Sequence, residues 1–168
     1  MLLEVKNGTI FSSSVTRIDR SSNGNPGSKN ALFYSEDIKG TIFKNSHSGI
    51  FGTYTGTLPS KKEYLVAEPA DIQLGEAKML TVIEGETIEE YDIEILKLNK
   101  NDTNKNILFE ITDSQLLEHT GGVVQGMSGS TIIQGDYIIG AVNYVVVDNP
   151  NRGYGIFITN MLKEMESN

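Results

Sequence analysis

The chain has 168 residues, of which 38% are hydrophobic and 21% charged, a composition that suits one globular domain or two small subdomains with a real core. Its net charge is −8 and its basic residues are scattered, which argues against a nucleic acid or an acidic membrane surface as partner. It has no cysteine, only two histidines and no long apolar run, so disulfides, a zinc site and a membrane-spanning helix are not expected.

The first third of the chain alternates apolar and polar residues with a period of two, which predicts β-strands. Two predicted strands, LLEV and TIFSSSVTRID, flank Asn7-Gly8, a dipeptide typical of hairpin turns. The stretch SSNGNPGSKN at 21–30 is a predicted loop, and three short strands follow it, ALFYS, TIFKN and GIFGTYTG. The polar segment at 57–63 is the predicted boundary between two halves of the molecule.

The second half begins with a predicted hairpin, AKMLTVI and TIEEYDIEILKL around the turn EGE, followed by the strand NILFEIT. A short helical turn, DSQLLEHT, has Asp113 as its expected cap, and the Gly-rich stretch TGGVVQGMSGS comes next. STIIQ and YIIGAVNYVVV then form a hairpin around GD. The strand YGIFI and a C-terminal helix, TNMLKEME, with Thr159 as its expected cap, complete the chain.

Many short strands separated by turns predict a mostly β fold, a barrel or a sandwich. A doubly wound α/β fold needs helices between its strands, and the sequence shows no such helices.

The pentapeptide GMSGS places Ser128 between Gly126 and Gly129, which would let the backbone bend and expose a serine hydroxyl. A nucleophile of this kind needs backbone N–H groups nearby to hold an oxyanion, and those of Gly126 and Ser128 are the natural candidates. A simple Gly/Ser turn would look the same, so the pentapeptide alone leaves both interpretations open.

The surrounding sequence favours the nucleophile. GMSGS, TIIQ, GD and YIIGAV, followed by RGYGIFITNMLKEM, resemble in order the second half of chymotrypsin-like serine proteases. The segment 120–158 is more narrowly similar to the stage IV sporulation protein B (SpoIVB) peptidase family. SSNGNPGSKN, GIFGTY, MLTVIEGETIEEYDIEI and ITDSQLLEHTGG are similar to that family in the same order.

The resemblance implies a chymotrypsin-like double β-barrel with a C-terminal helix. Residues 1–58 would be the remnant of an incomplete first barrel and residues 64–168 the second barrel. It also implies a sporulation serine endopeptidase that cleaves a protein substrate through an acyl-serine, with Ser128 as nucleophile and Asp113 as acidic partner. No metal or cofactor is implied. The expected location is extracytoplasmic, between forespore and mother cell and in a membrane-associated complex without direct insertion, although the sequence shows no targeting segment.

The general base is missing from the expected place. The family's base is a histidine in a Gly-His pair, and this sequence has no Gly-His; its histidines are His47 and His119. Three explanations stay open: the chain begins after the motif, the protein is naturally base-less and acts as a binding or regulatory module, or one of these histidines has taken over. A base-less chain is expected to be essentially inactive, because removing the base of such a unit typically costs on the order of 10⁶ in turnover.

Four further expectations concern other parts of the chain. Asn143 and Tyr144 occupy the strand that pairs with substrate in related proteases, so they are candidate cleft residues. Asp92 is a rival acid, but strand alternation turns it toward solvent. The glutamates of the 84–90 hairpin tip are expected to be solvated. An incomplete first barrel would leave open strand edges. Two outcomes are expected from such edges: pairing with another copy of the chain, for example by strand exchange, or local disorder of residues 1–30.

Overall fold

A computed structural model describes residues 7–58 and 62–166 and shows a mostly β molecule built from two sheets and two helices. The expected chymotrypsin-like, mostly β fold with a C-terminal helix is confirmed. The predicted strand LLEV lies outside the described residues. The first sheet consists of β1 (Gly8–Asp19), β2 (Ser28–Ser46) and β3 (Gly49–Tyr54), joined antiparallel in that order.

The second sheet closes on itself into a six-stranded barrel, because β10 pairs with both β7 and β9. Its order is β10-β7-β6-β5-β8-β9, and the short β4 adds to β9 in parallel. The elements are β4 (Leu65–Val66), β5 (Gly75–Thr81), β6 (Glu89–Leu98), β7 (Ile107–Ile111), α1 (Ser114–Thr120), β8 (Thr131–Gln134), β9 (Tyr137–Val145), β10 (Arg152–Phe157) and α2 (Ile158–Glu166).

The barrel interior is the main hydrophobic core, since alternate residues of its strands point inward. β7 buries three of its five residues, Ile107, Phe109 and Ile111, and the intervening two are half-buried. The predicted hairpin around EGE is confirmed by β5 and β6, and the hairpin around GD by β8 and β9. The division into residues 1–58 and 64–168 stays a prediction, and part of its boundary, 59–61, lies outside the described residues.

Two details differ from the sequence expectations. ALFYS and TIFKN are not separate strands, because β2 runs without interruption from Ser28 to Ser46. Gly40, in the middle of β2, permits close approach of β3, since a Cβ there would collide with the Thr53 carbonyl oxygen. Thr159 does not cap α2, because the helix already begins at Ile158 and buries the Thr159 side chain.

Several hydrogen bonds join the first sheet and its β1–β2 loop to the barrel near the Gly-rich stretch. Val15 of β1 forms a two-hydrogen-bond bridge with Gly85 at the tip of the β5–β6 hairpin. The Gln125 N–H donates to the Gly27 carbonyl at 2.8 Å, and the Lys29 N–H donates to the Gln125 carbonyl at 2.8 Å. The start of β2 therefore holds the chain immediately before Gly126.

Candidate active site

Two consecutive tight turns shape the loop that carries Ser128. The Met127 N–H donates to the Val124 carbonyl at 3.1 Å, and the Ser130 N–H donates to the Met127 carbonyl at 2.9 Å. Each turn has a glycine at its third position, Gly126 with φ +94° and Gly129 with φ +86°, in the left-handed region that favours glycine.

The buried Met127 anchors this loop in the barrel core, and the adjacent Ser128 lies at the surface. The Met127 side chain is fully buried in the barrel core, whereas the next residue, Ser128, is exposed. The Ser128 hydroxyl has no hydrogen-bond partner in residues 7–58 and 62–166. The sequence prediction of an exposed serine on a glycine-framed bend therefore matches the geometry.

The backbone amides of the loop divide into used and unused groups. Gln125 and Gly129 donate their N–H groups to Gly27 and Val142, both at 2.8 Å. The N–H groups of Gly126 and Ser128 have no acceptor within the described part of the chain. The two amides predicted to hold an oxyanion are thus the ones left without an internal partner.

Asp113 serves as the N-cap of α1, as expected. Its Oδ1 accepts a hydrogen bond from the Leu116 N–H at 2.9 Å, and its Oδ2 accepts one from the Asp92 N–H at 3.4 Å. Both carboxylate oxygens therefore bind backbone amides, which stabilises the helix start. Its role as a triad acid stays a prediction.

The two histidines lie in different places. His119 is exposed in the last turn of α1, and His47 is exposed in the turn between β2 and β3. Over the residues for which the structure gives positions, neither histidine hydrogen-bonds to Ser128 or Asp113.

The remaining acidic residues behave as the sequence indicates. Asp92 is exposed and pairs with the Lys78 ammonium at 3.0 Å. The hairpin-tip glutamates are all exposed, and Glu89 accepts a hydrogen bond from the Tyr91 hydroxyl at 2.7 Å. Together with burial, this hydrogen bond raises the pKa of Tyr91 above its ordinary range.

Comparison with known families decides the identity of the chain. The family model described as SpoIVB peptidase S55 matches residues 1–162. The chain belongs to the SpoIVB peptidase S55 family. A search of curated proteins found no match, and a search of solved structures found none either.

In this member of the SpoIVB peptidase family, the candidate cleft residues lie on β9 just after its contact with the loop 124–130. This loop carries Ser128 and is called the reactive loop after its candidate nucleophile. Val142 accepts from the Gly129 N–H and donates to the Ser130 carbonyl, and Asn143 and Tyr144 follow it. The Asn143 Nδ2 donates to the Asn104 carbonyl at 2.6 Å, whereas the Tyr144 side chain is exposed with the Lys105 ammonium 5.1 Å from its ring centre. The pairing of β8 with β9 ends at Ala141, so this edge of β9 is not occupied by β8.

Next to the candidate site lies a buried polar group that the sequence did not indicate. The Lys29 ammonium donates to the Thr81 Oγ1 at 2.7 Å, and the Ser130 hydroxyl donates to the same oxygen at 2.8 Å. Thr81 is only 4% exposed. Burial lowers the pKa of Lys29 from its ordinary 10.5 to about 8. A lysine in a predicted Gly/Asn/Ser loop carries no local signal of such burial, so only the tertiary fold reveals it.

These polar side chains lie in a cavity of about 510 Å³ beside the reactive loop, where the two sheets meet. Apart from Lys29, Thr81 and Ser130, most of its lining side chains are apolar, among them Val15, Ala31, Phe33, Leu80, Val82 and Ile88. A larger cavity of about 600 Å³ lies elsewhere, and the rival acid Asp92 is among its lining residues, whereas Ser128 and Asp113 are not.

The described residues hold no cluster of three or more His, Cys, Asp or Glu side chains placed to bind a metal ion. Within the same residues, neither helix is long and apolar enough to cross a membrane.

Proposed function

We propose that this chain is a serine endopeptidase domain of the SpoIVB type, which cleaves a protein substrate through an acyl-enzyme on Ser128. The observation that carries the proposal is the exposed Ser128 at a double turn, with the unpartnered amides of Gly126 and Ser128 beside it. Membership of a peptidase family makes peptide-bond cleavage the reaction that fits this geometry.

In the proposed reaction, the Ser128 Oγ attacks the carbonyl carbon of the scissile peptide. The negative charge that develops on the carbonyl oxygen is held by the Gly126 and Ser128 N–H groups, and losing one donor of this type typically costs about 10²–10³ in rate. A general base takes the serine proton and later gives it to the leaving amine, after which water hydrolyses the acyl-serine.

Substrate would extend along β9 by adding a strand to the edge that β8 leaves after Ala141. Asn143 and Tyr144 would lie under the substrate on the acyl side of the scissile bond. In the proposed triad, Asp113 would orient the base. The parent protein would act outside the cytoplasm, on a protein substrate or regulator of a sporulation complex.

Ser128→Ala tests the nucleophile. In a form of the protein that supplies the general base and cleaves an unstructured protein such as casein, we expect the variant to lose this cleavage by at least about 10³-fold, to the level without enzyme. Ser35→Ala is the matched control, because Ser35 is exposed in the middle of β2, and it should retain the parent rate. Equal rates for Ser128→Ala and the parent would reject Ser128 as the nucleophile.

A second candidate function is a binding module that keeps the fold and docks an extended partner segment without cleaving it. The observation that favours it is the absence of any hydrogen bond between a histidine and Ser128 among the described residues. Saturable binding of unstructured protein by the parent chain, with no cleavage and no labelling of Ser128 by a fluorophosphonate, would support the binding module over the enzyme.

A further inference from the structure

We propose that Lys29, Thr81 and Ser130 form a second nucleophile–base unit, in which Lys29 withdraws the Ser130 proton through the Thr81 hydroxyl. This inference goes beyond the proposed function, because it uses a different serine and requires no histidine. Its substrate would be an acyl donor, an ester or an amide, with an apolar group that fits the cavity between the sheets.

The three side chains form a continuous hydrogen-bonded chain. Lys29 Nζ and Thr81 Oγ1 are 2.7 Å apart, and Thr81 Oγ1 and Ser130 Oγ are 2.8 Å apart. When Lys29 is neutral, the Thr81 hydroxyl can donate to the lysine nitrogen while the Ser130 hydroxyl donates to Thr81. Both hydroxyl protons then point along the path from the serine to the amine.

Among the described residues, Lys29 donates to the Thr81 hydroxyl but forms no ion pair with a carboxylate. A buried ammonium normally pairs with a carboxylate, yet no charged group in the part of the chain that the structure describes contributes to the pKa of Lys29, which burial lowers to about 8. A lysine with such a pKa has a substantial neutral fraction near physiological pH and can act as a general base.

The charged groups on the surrounding elements are engaged elsewhere or exposed to solvent. On β1, Asp19 binds Arg17 at the exposed edge, and on β5, Lys78 pairs with Asp92. The loop 125–130 carries no ionisable side chain. The glutamates of the β5–β6 hairpin tip face solvent, and of the described residues that line the cavity, Lys29 is the one that carries a charge.

The backbone keeps this unit next to the reactive loop. The Lys29 N–H binds the Gln125 carbonyl at 2.8 Å, and a Cβ on Gly126 would lie only 3.0 Å from the Lys29 Cβ. Ser130 lies two residues beyond Ser128 and lines the cavity whose walls are mostly apolar. The unpartnered Ser128 N–H lies in the same turn, which closes with the hydrogen bond from Ser130 to Met127.

The proposed step balances without any further reagent. The Ser130 Oγ forms a bond to the acyl carbon while its proton moves to Thr81 Oγ1 and the Thr81 proton moves to Lys29 Nζ. The bond from the acyl carbon to the leaving oxygen or nitrogen then breaks, and the leaving group takes a proton back along the same chain. Water hydrolyses the acyl-Ser130 by the same route and regenerates the free hydroxyl.

The test is the rate and position of labelling by a fluorophosphonate, read by mass spectrometry of the peptide that contains both serines. We expect phosphonylation of Ser130 in the parent and in Ser128→Ala, with a rate that rises with pH around a midpoint near 8. Lys29→Met and Thr81→Val should each lower this rate at least about 100-fold. Lys29→Arg should lower it as much, because a guanidinium keeps its proton.

Lys78→Met is the matched control, since it removes an exposed lysine outside the cavity, and it should label at the parent rate. Circular dichroism checks the fold of each variant, and if Thr81→Val does not fold, the comparison of Lys29→Met and Lys29→Arg with the parent decides alone. Labelling confined to Ser128, or Ser130 labelling that Lys29→Met leaves unchanged, would overturn the second unit. Labelling confined to Ser130 would instead count against Ser128 as nucleophile, so the two proposals fail separately.

Discussion

The closed barrel and the three-stranded sheet use the same kind of alternating sequence with opposite results. In the barrel, Ile93, Ile107 and Phe109 are at most 1% exposed, because a closed sheet encloses one of its faces. In the three-stranded sheet, Leu32, Phe33 and Ile50 are 55%, 68% and 61% exposed. Alternation therefore predicts a strand reliably, but closure of the sheet decides whether its apolar face becomes a core.

The largest expected difference between these regions is in stability. Ile107→Ala should lower the free energy of unfolding by about 2–5 kcal/mol, because it removes a fully buried side chain and leaves a cavity. Ile50→Ala is the matched change in the exposed sheet and should cost less than about 1 kcal/mol. Urea denaturation followed by circular dichroism measures both, and similar losses would show that the three-stranded sheet contributes a core of its own.

A smaller effect is expected where the two regions meet, at Lys29. Its pKa is lowered to about 8 in the folded chain, whereas the unfolded chain keeps the ordinary 10.5. Burial of the charged form therefore destabilises the fold below pH 8, and the penalty disappears as the pH rises from 8 to 10.5. Lys29→Met should raise the free energy of unfolding at pH 7 by about 1 kcal/mol, a value reduced for the partial solvent exposure of the lysine.

The pH dependence separates this cause from simple repacking. The advantage of Lys29→Met over the parent should shrink between pH 8 and pH 10.5 in urea denaturation. Lys78→Met, which removes an exposed lysine, should show no such trend. A Lys29→Met advantage that stays constant across this pH range would contradict burial of the charged form as its source.

A stability effect of similar size is expected at Asp113, the N-cap of α1. Asp113→Ala should cost about 1 kcal/mol, because it removes the acceptor for the Leu116 N–H at the start of α1. Asp113→Asn should cost less than Asp113→Ala, since an asparagine oxygen caps a helix equally well, although its NH2 group cannot accept the Asp92 N–H.

The same pair of variants tests the predicted triad role of Asp113. If Asp113 orients a catalytic base, Asp113→Asn should lower turnover by roughly 10⁴-fold although stability is kept. Cleavage of casein at the parent rate by Asp113→Asn would leave the carboxylate with its capping role alone.

The sequence predicted best what depends on neighbours along the chain. The barrel hairpins, the cap at Asp113 and the exposed bend at Ser128 all follow from local periodicity and turn chemistry. β2 was predicted as two short strands, ALFYS and TIFKN, although it is one strand from Ser28 to Ser46. Pairing with β1 and β3 makes it continuous. The cap predicted at Thr159 was also wrong, because α2 begins at Ile158, directly after the last barrel strand.

The Lys29–Thr81–Ser130 group could not be predicted in this way. Its members are separated by 52 and 49 positions along the chain, and only the contact between the two sheets brings them together. Neither residue type nor spacing distinguishes Lys29 from the other lysines. The burial that lowers its pKa is a property of the assembled fold alone.

Two backbone hydrogen bonds between Gln125 and the start of β2 couple the loop that carries Ser128 to the first sheet. Gln125 both donates to Gly27 and accepts from Lys29, and it directly precedes Gly126. A movement of β2 would therefore reach the backbone beside Ser128 through these two main-chain hydrogen bonds rather than through side chains. A displacement of the first sheet would therefore alter the geometry of the bend without passing through the barrel core.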